Sequence, residues 1–195
     1  DPDRKPFPKP RMSRRFVPVG PVAVFGACNF PLAISVVGND FVSAIATGNP
    51  VIVKSHPSHP GTCELLGDAV KEVVKRLDFP AGTFDLFHGR SPDTAIRLVS
   101  HPAISAVGFT GSPQGGRSLA KAVLERENPI PIFAELGSTN PVFIGRDAMA
   151  ARVEAIADGF AASLRFGNGH MCTKPGVVVV HEADAESFVQ ATCKT

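Results

Sequence analysis

Cys172 lies in Phe166-Gly167-Asn168-Gly169-His170-Met171-Cys172-Thr173-Lys174-Pro175-Gly176, a glycine-punctuated turn between a helix-like run and the apolar strand Val177–Val180. Upstream stand a carboxylate, Glu135, in Ala134-Glu135-Leu136-Gly137-Ser138 and an amide, Asn29, in Cys28-Asn29-Phe30-Pro31. Thiol, carboxylate and amide are the three groups that a covalent aldehyde oxidation requires. The loop Phe109-Thr110-Gly111-Ser112 offers a place for the dinucleotide such a reaction also needs. A cysteine without context reads as a packed thiol. Here Gly167, Gly169 and Gly176 argue instead for a tight backbone that projects the side chain into a cleft, a setting that Cys28, Cys63 and Cys193 lack.

These residues must be positioned by a fold, and the strand–helix pattern predicts one. Val22–Phe25 reads as a buried strand, followed by a helix from Pro31 to Thr47 that Gly48-Asn49 ends. Val51–Val53 is the next strand. The helix after it, Gly61 to Leu77, sets Leu66, Val70, Val73 and Val74 on one face at helical spacing. Thr83–Phe87, Ala106–Phe109 and Ile132–Glu135 are further strands, separated by helices over Asp93–Val99 and Gly116–Arg126. Connections too long for hairpins imply right-handed crossovers, and so an open parallel Rossmann-like α/β sheet. Beyond Glu135 the pattern restarts with strand Pro141–Ile144, helix Ala148–Leu164, the cysteine turn, strand Val177–Val180 and a helix from about Asp184. The predicted organisation is an extended strap over 1–16, a Rossmann-like domain over 17–135, and over 136–195 the start of a second α/β domain too short to bury both faces of its sheet.

Composition narrows the function classes. With 195 residues, 44% hydrophobic and 19% charged, the chain has the makeup of a globular protein with a sizeable core. A net charge of +2 gives no reason to expect nucleic-acid or membrane partners, and no apolar run is long enough to span a bilayer. The proline-broken segment 1–16 carries six Arg and Lys residues and reads as a solvated strap rather than a phosphate-gripping arm. Four cysteines without a C-x-x-C pair read as reduced thiols of the cytoplasm. His56 and His59 sit between prolines with no cysteine or third histidine nearby, so no zinc site is expected. No G-x-S-x-G elbow marks a serine hydrolase.

Open α/β sheets bind ligands past the carboxyl ends of their strands, which singles out Asn29, Lys54, Gly111-Ser112 and Glu135 together. In Gly111-Ser112-Pro113-Gln114-Gly115-Gly116, small residues at a helix N-terminus would let backbone N–H groups approach a pyrophosphate.

With these residues in view, the chain resembles the aldehyde dehydrogenase superfamily, nearest its bacterial 2,5-dioxovalerate and NADP-dependent fatty aldehyde branch. The resemblance runs from Val17 onward. It is carried by Pro18-Val19-Gly20-Pro21-Val22-Ala23-Val24-Phe25-Gly26-Ala27-Cys28-Asn29-Phe30-Pro31, by Val51-Ile52-Val53-Lys54-Ser55-His56-Pro57, and by Gly108-Phe109-Thr110-Gly111-Ser112. Ala134-Glu135-Leu136-Gly137-Ser138, Asn140-Pro141-Val142-Phe143 and Cys172-Thr173-Lys174-Pro175-Gly176 complete it.

The resemblance implies that Cys172 is the nucleophile and that Asn29, with the Cys172 backbone N–H, holds the oxyanion. Glu135 would activate water for thioester hydrolysis. Lys54, with Ser55 and Pro57 beside it, would meet the adenosine ribose, and Gly111, Ser112 and Gly116 the pyrophosphate region. NAD-preferring relatives carry a glutamate where this chain has Pro57, so NADP as well as NAD is an expected cofactor. His170 replaces the family's usual Gln, either lowering the thiol pKa or filling the same space. The resemblance also implies a small aldehyde substrate, such as the semialdehyde 2,5-dioxovalerate, a homo-oligomeric parent, and a chain that is a central, by itself inactive, piece of it. A truncated non-catalytic homologue binding nucleotide or a partner is the alternative reading, and acyl-phosphate or acyl-CoA chemistry a third.

Overall fold

The computed structural model describes residues 3–195; Asp1 and Pro2 of the predicted strap lie outside them. Residues 3–19 carry no helix or strand and are exposed. The chain divides into two compact units. The first reaches to Thr110 and includes Arg117–Ala134; the second comprises Gly111–Gly116 and Glu135–Thr195.

The first unit is built on β1 (Val22–Phe25), β2 (Val51–Lys54), β3 (Phe84–Phe87), β4 (Ala106–Thr110) and β5 (Ile132–Glu135), in the order β3-β2-β1-β4-β5. β1 pairs in parallel with β2 and with β4, and β2 in parallel with β3. This is the open parallel sheet the sequence predicts, with its direction of winding reversing at β1. Successive β-strand side chains point to opposite faces, and all four residues of β1 are buried. Val22 and Val24 join Val51, Val53, Phe84 and Leu86 on one face, under α1 (Asn39–Ala46) and α2 (Pro60–Arg76). Ala23 and Phe25 join Val107, Val99 and Leu119 on the other, under α3 (Pro92–Ser100) and α4 (Pro113–Leu124). Proline occupies the first turn of α2 and of α3, and Ser91 caps α3 by accepting from Asp93 N at 3.1 Å.

The first helix is shorter than predicted. Residues 31–38 form successive turns instead, with the N–H groups of Ala33 and Ile34 both donating to Phe30 O at 3.0 Å. Gly38 lies so close to the Ile34 backbone that any side chain there would collide, and the compaction carries Val36 fully into the core. Helical propensity gives way to that packing. α4 starts at Pro113 rather than Gly116, because Ser112 Oγ accepts from Gly115 N at 3.1 Å and opens the helix early.

Two polar clasps hold connections that the hydrophobic pattern does not specify. Asn49 is 6% exposed, and its Oδ1 accepts from Val19 N at 2.7 Å and Gly20 N at 3.1 Å. Its Nδ2 donates to Ala44 O at 3.1 Å and to Thr47 Oγ1 at 2.8 Å, so one amide joins the end of α1 to the approach to β1. Past α4, the Arg126 guanidinium donates to the carbonyls of Val99, His101 and Ile104 and thereby fixes the end of α3 and the entry to β4.

In the second unit β6 (Pro141–Ile144) pairs in parallel with β7 (Val177–Val180). Val142, Ile144, Val178 and Val180 are half-buried while Phe143, Val177 and Val179 are exposed. α5 (Arg146–Arg165) breaks its helical geometry at Arg152 and packs on α6 (Glu182–Thr192), where Phe160 and Phe188 meet edge to face with centroids 5.5 Å apart.

Asn49→Ala removes four hydrogen bonds and strands two backbone N–H groups. It is expected to lower stability by about 2–3 kcal/mol, read from the urea midpoint of the intact polypeptide at unchanged m-value. A shift indistinguishable from that of an exposed-site alanine would contradict the role given to this amide.

Candidate functional site

The carboxyl ends of the first unit's strands place Asn29 after β1, Lys54 as the last residue of β2 and Ser55 just after it. Ser55 is a node. It is 2% exposed, its N–H donates to Phe87 O at 2.9 Å, and its carbonyl accepts from Lys54 Nζ at 3.1 Å. Its hydroxyl lies 2.7 Å from His88 Nδ1. His88 Nε2 in turn meets the Glu64 carboxylate of α2, a bond that holds Glu64 below the usual carboxylate range. In the tautomer whose Nε2–H donates to the carboxylate, Nδ1 accepts a hydrogen bond from the Ser55 hydroxyl. This Ser55–His88–Glu64 chain ties β2, β3 and α2 together beside Lys54. Sequence reading missed it because its members are far apart in the chain.

Electrostatics mark the same corner. Burial pushes the Lys54 ammonium down from its ordinary pKa, an effect partly offset by Cys63. Burial also lowers His56, and the neighbouring His59 and Lys54 add to that shift. His56 and His59 stack with centroids 5.4 Å apart, and His59 Nδ1 lies 3.2 Å from Cys63 Sγ. His59 Nε2 is buried without a hydrogen-bond partner. Lys54 and His56, whose protons burial disfavours, beside an unsatisfied His59 ring nitrogen at the N-terminus of α2, suit an anion. The residues present therefore fit the phosphate-bearing adenosine end of a dinucleotide. Pro57 lies in the connection between Lys54 and α2.

At the end of β4, Asp40 of α1 is hydrogen-bonded to the Thr110 side chain. Burial raises the Asp40 pKa, and the Thr110 bond opposes the rise. Gly108 leaves the room that the Asp40 side chain takes.

The second unit gathers Gly111, Ser112, Gly116, Glu135 and Cys172. Gly111 N donates to Glu135 O at 3.0 Å, fixing the end of β5 to the turn that opens α4. Gly116 leaves space that Leu136 fills, and Pro113 packs on Gly137. The Glu135 residue is exposed. Cys172 is exposed as well. Gly167, Asn168 and Gly169 take left-handed backbone angles, with φ of 58°, 55° and 74°, conformations that glycine and asparagine tolerate. Gly176 passes against Thr139 O, where a side chain has no room. Asn140, which the sequence reading left without a role, donates from Nδ2 to Cys172 O at 2.6 Å and to Lys174 O at 2.9 Å. Among the described residues no group of three or more His, Cys, Asp or Glu is placed to hold a metal, and no helix is long and apolar enough to cross a membrane.

A parallel sheet winding outward from β1, with helices on both faces, defines an open α/β protein. Residues 5–195 match the aldehyde dehydrogenase family, and the chain belongs to it. It is 51% identical over 178 residues to alpha-ketoglutaric semialdehyde dehydrogenase 2 of Azospirillum brasilense, covering 91% of this chain and 34% of that protein. To the alpha-ketoglutaric semialdehyde dehydrogenase of Acinetobacter baylyi it is 43% identical over 195 residues, all of this chain and 37% of the relative. It thus spans about a third of the length of these relatives. Among solved structures, aldehyde dehydrogenase C of Pseudomonas syringae, a variant complexed with NAD+ and octanal, shares the fold. Its TM-score is 0.79 at 22% identity, over 92% of this chain and 35% of that one.

Because burial raises the Asp40 pKa, its folded carboxyl prefers the proton. Its contribution to stability is largest at acid pH and falls as pH climbs through the raised value. Asp40→Asn keeps an acceptor for Thr110 without the buried charge. The variant should melt above the wild type at neutral pH, with the gap closing as pH falls through the carboxylate range. Thermal midpoints across pH check it, and a gap independent of pH rules it out.

Proposed function

We propose that the protein containing this chain oxidises a small aldehyde to its carboxylic acid with a nicotinamide dinucleotide. A dicarboxylic semialdehyde of the 2,5-dioxovalerate type is the favoured substrate. The observation that carries this reading is the exposed Cys172 on a turn held by Asn140, within a chain 43–51% identical to two semialdehyde dehydrogenases. Family membership supports the class of reaction, and the relatives' names support the substrate. In this reading residues 17–135 serve the dinucleotide and 136–195 begin the thiol-bearing portion.

The mechanism follows from the residue types. Cys172, as thiolate, adds to the carbonyl carbon and forms a thiohemiacetal. Its oxyanion must be stabilised without being protonated, which suits a neutral amide, and Asn29 is assigned that donor together with the Cys172 N–H. When bound, the nicotinamide supplies the hydride acceptor that lets the adduct become a thioester. Glu135 then takes a proton from water, the resulting hydroxide adds to the thioester carbon, and the thiolate leaves with the acid formed. Lys54, Ser55 and the segment through Pro57 are assigned to the adenosine ribose, and Gly111, Ser112 and Gly116 to the pyrophosphate region. A corner where burial disfavours the protons of Lys54 and His56, and where His59 and Lys54 add to the effect on His56, supports NADP as an accepted cofactor alongside NAD.

Turnover of the intact polypeptide with 2,5-dioxovalerate tests the reading through reduced-nicotinamide absorbance. Cys172→Ala is expected to abolish both burst and steady state. Glu135→Gln should retain a stoichiometric burst while losing about 10²–10⁴-fold in steady-state rate. Asn29→Ala should lower kcat by about 10²-fold. Full activity of Cys172→Ala would end the covalent mechanism. NADP turnover far below that with NAD would remove the cofactor assignment alone.

A further inference from the structure

An exposed nucleophile has little packing to aim it, so its direction must come from the backbone that carries it. The turn bearing Cys172 follows three left-handed residues and belongs to neither β7 nor α5. One bond within it runs from Lys174 N to Met171 O at 3.2 Å. Further restraint arrives from one residue at the entry to β6. Asn140 sits at φ 47°, and its Nδ2 reaches the carbonyls of Cys172 and Lys174 at 2.6 and 2.9 Å. Its own carbonyl accepts from Gly176 N at 3.3 Å, so Asn140 grips every second residue from 172 to 176. The amide's orientation is also determined. Ser138 Oγ donates to Asn140 Oδ1 at 2.7 Å, which commits the oxygen and leaves the NH2 group to the two carbonyls. Ser138 Oγ accepts in return from Asn140 N at 3.3 Å.

We propose that Asn140, oriented by Ser138, is the positioning residue for Cys172: it fixes the turn backbone and through it the direction in which Sγ points. This rests on Cys172 being the nucleophile. The bonds lie near the surface, so their effect on stability is small. Their effect on reaction is larger, because misplacement of a reacting atom by about 1 Å costs on the order of 10²-fold in rate. Asparagine suits the position twice over, since it tolerates the left-handed backbone and carries two donors on one nitrogen.

The test uses the intact polypeptide and the rate of Cys172 alkylation by iodoacetamide, read by peptide mass spectrometry. Cys28 and Cys193, both exposed, serve as internal standards. Asn140→Asp preserves shape and backbone tolerance but replaces the donor with an acceptor. Alkylation of Cys172 relative to the standards should slow by at least about fivefold and kcat fall by about 10²-fold, with the dissociation constant for NADP, measured by calorimetry, unchanged. Ser138→Ala should move both readouts the same way to a smaller extent, and Ser138→Thr, which keeps the hydroxyl, should restore them. Wild-type alkylation and kcat in Asn140→Asp overturn the proposal. If Asn140→Asp fails to fold, the Ser138 pair decides: Ala slower than Thr supports the proposal, and equal behaviour overturns it. Loss of the underlying reading is separable, since it appears as full turnover in Cys172→Ala.

Discussion

β1 is covered on both faces, and the first unit is organised around that fact. A strand whose Val22 and Val24 face one helical layer while Ala23 and Phe25 face the other must lie in the interior of a parallel sheet. Its neighbours on the two sides, β2 and β4, then run the same way, and their carboxyl ends fall along one edge. Asn29, Lys54 and Ser55 lie at that edge because the strands before them are only four residues long and end there. The largely apolar pairing thus dictates where polar chemistry can occur.

This part of the fold is legible in the sequence for the same reason. A short, mainly apolar run that opens after or at proline, or after glycine, has few alternatives, and the strand readings Val22–Phe25, Ile132–Glu135, Pro141–Ile144 and Val177–Val180 coincide with β1, β5, β6 and β7. The stretch 31–38 is not legible. Its composition permits a helix, and only the approach of Gly38 to the Ile34 backbone, together with the burial of Val36, selects turns. Asn49, Asn140 and the Ser55–His88–Glu64 chain are hidden for a further reason. Each works by hydrogen bonds between residues distant in sequence, and such pairs leave no periodic trace. Gly176 shows the limit well: its spacing from Cys172 marks a tight turn, yet the need for glycine comes from Thr139 O on another segment.

The corner formed by Lys54, His56 and His59 joins packing to charge. Pro57 and Pro60 keep the intervening chain out of a helix and deliver His59 as the residue before α2. The two imidazoles stack, and one of them leans on the Cys63 thiol within the core. Burial works against protonation of Lys54 and His56, and a negative charge bound beside them would oppose that shift. The Ser55 node, braced by His88 and Glu64, keeps the backbone under Lys54 from relaxing away.

The second unit solves a different problem. The Cys172 thiol is exposed, and exposure removes the side-chain packing that would otherwise define its geometry. Left-handed residues at 167–169 turn the chain sharply but add little restraint beyond themselves. The restraint comes instead from β6, whose first residues are fixed by parallel pairing with β7. Asn140 stands directly before Pro141, so it inherits the rigidity of that pair and transmits it through one amide to the carbonyls flanking Thr173. The two strands that bracket the turn are thereby also the elements that aim it. A sulfur on an exposed loop can then be as well directed as one on a strand, provided the amide that holds its backbone has its own orientation settled, as Ser138 settles it here.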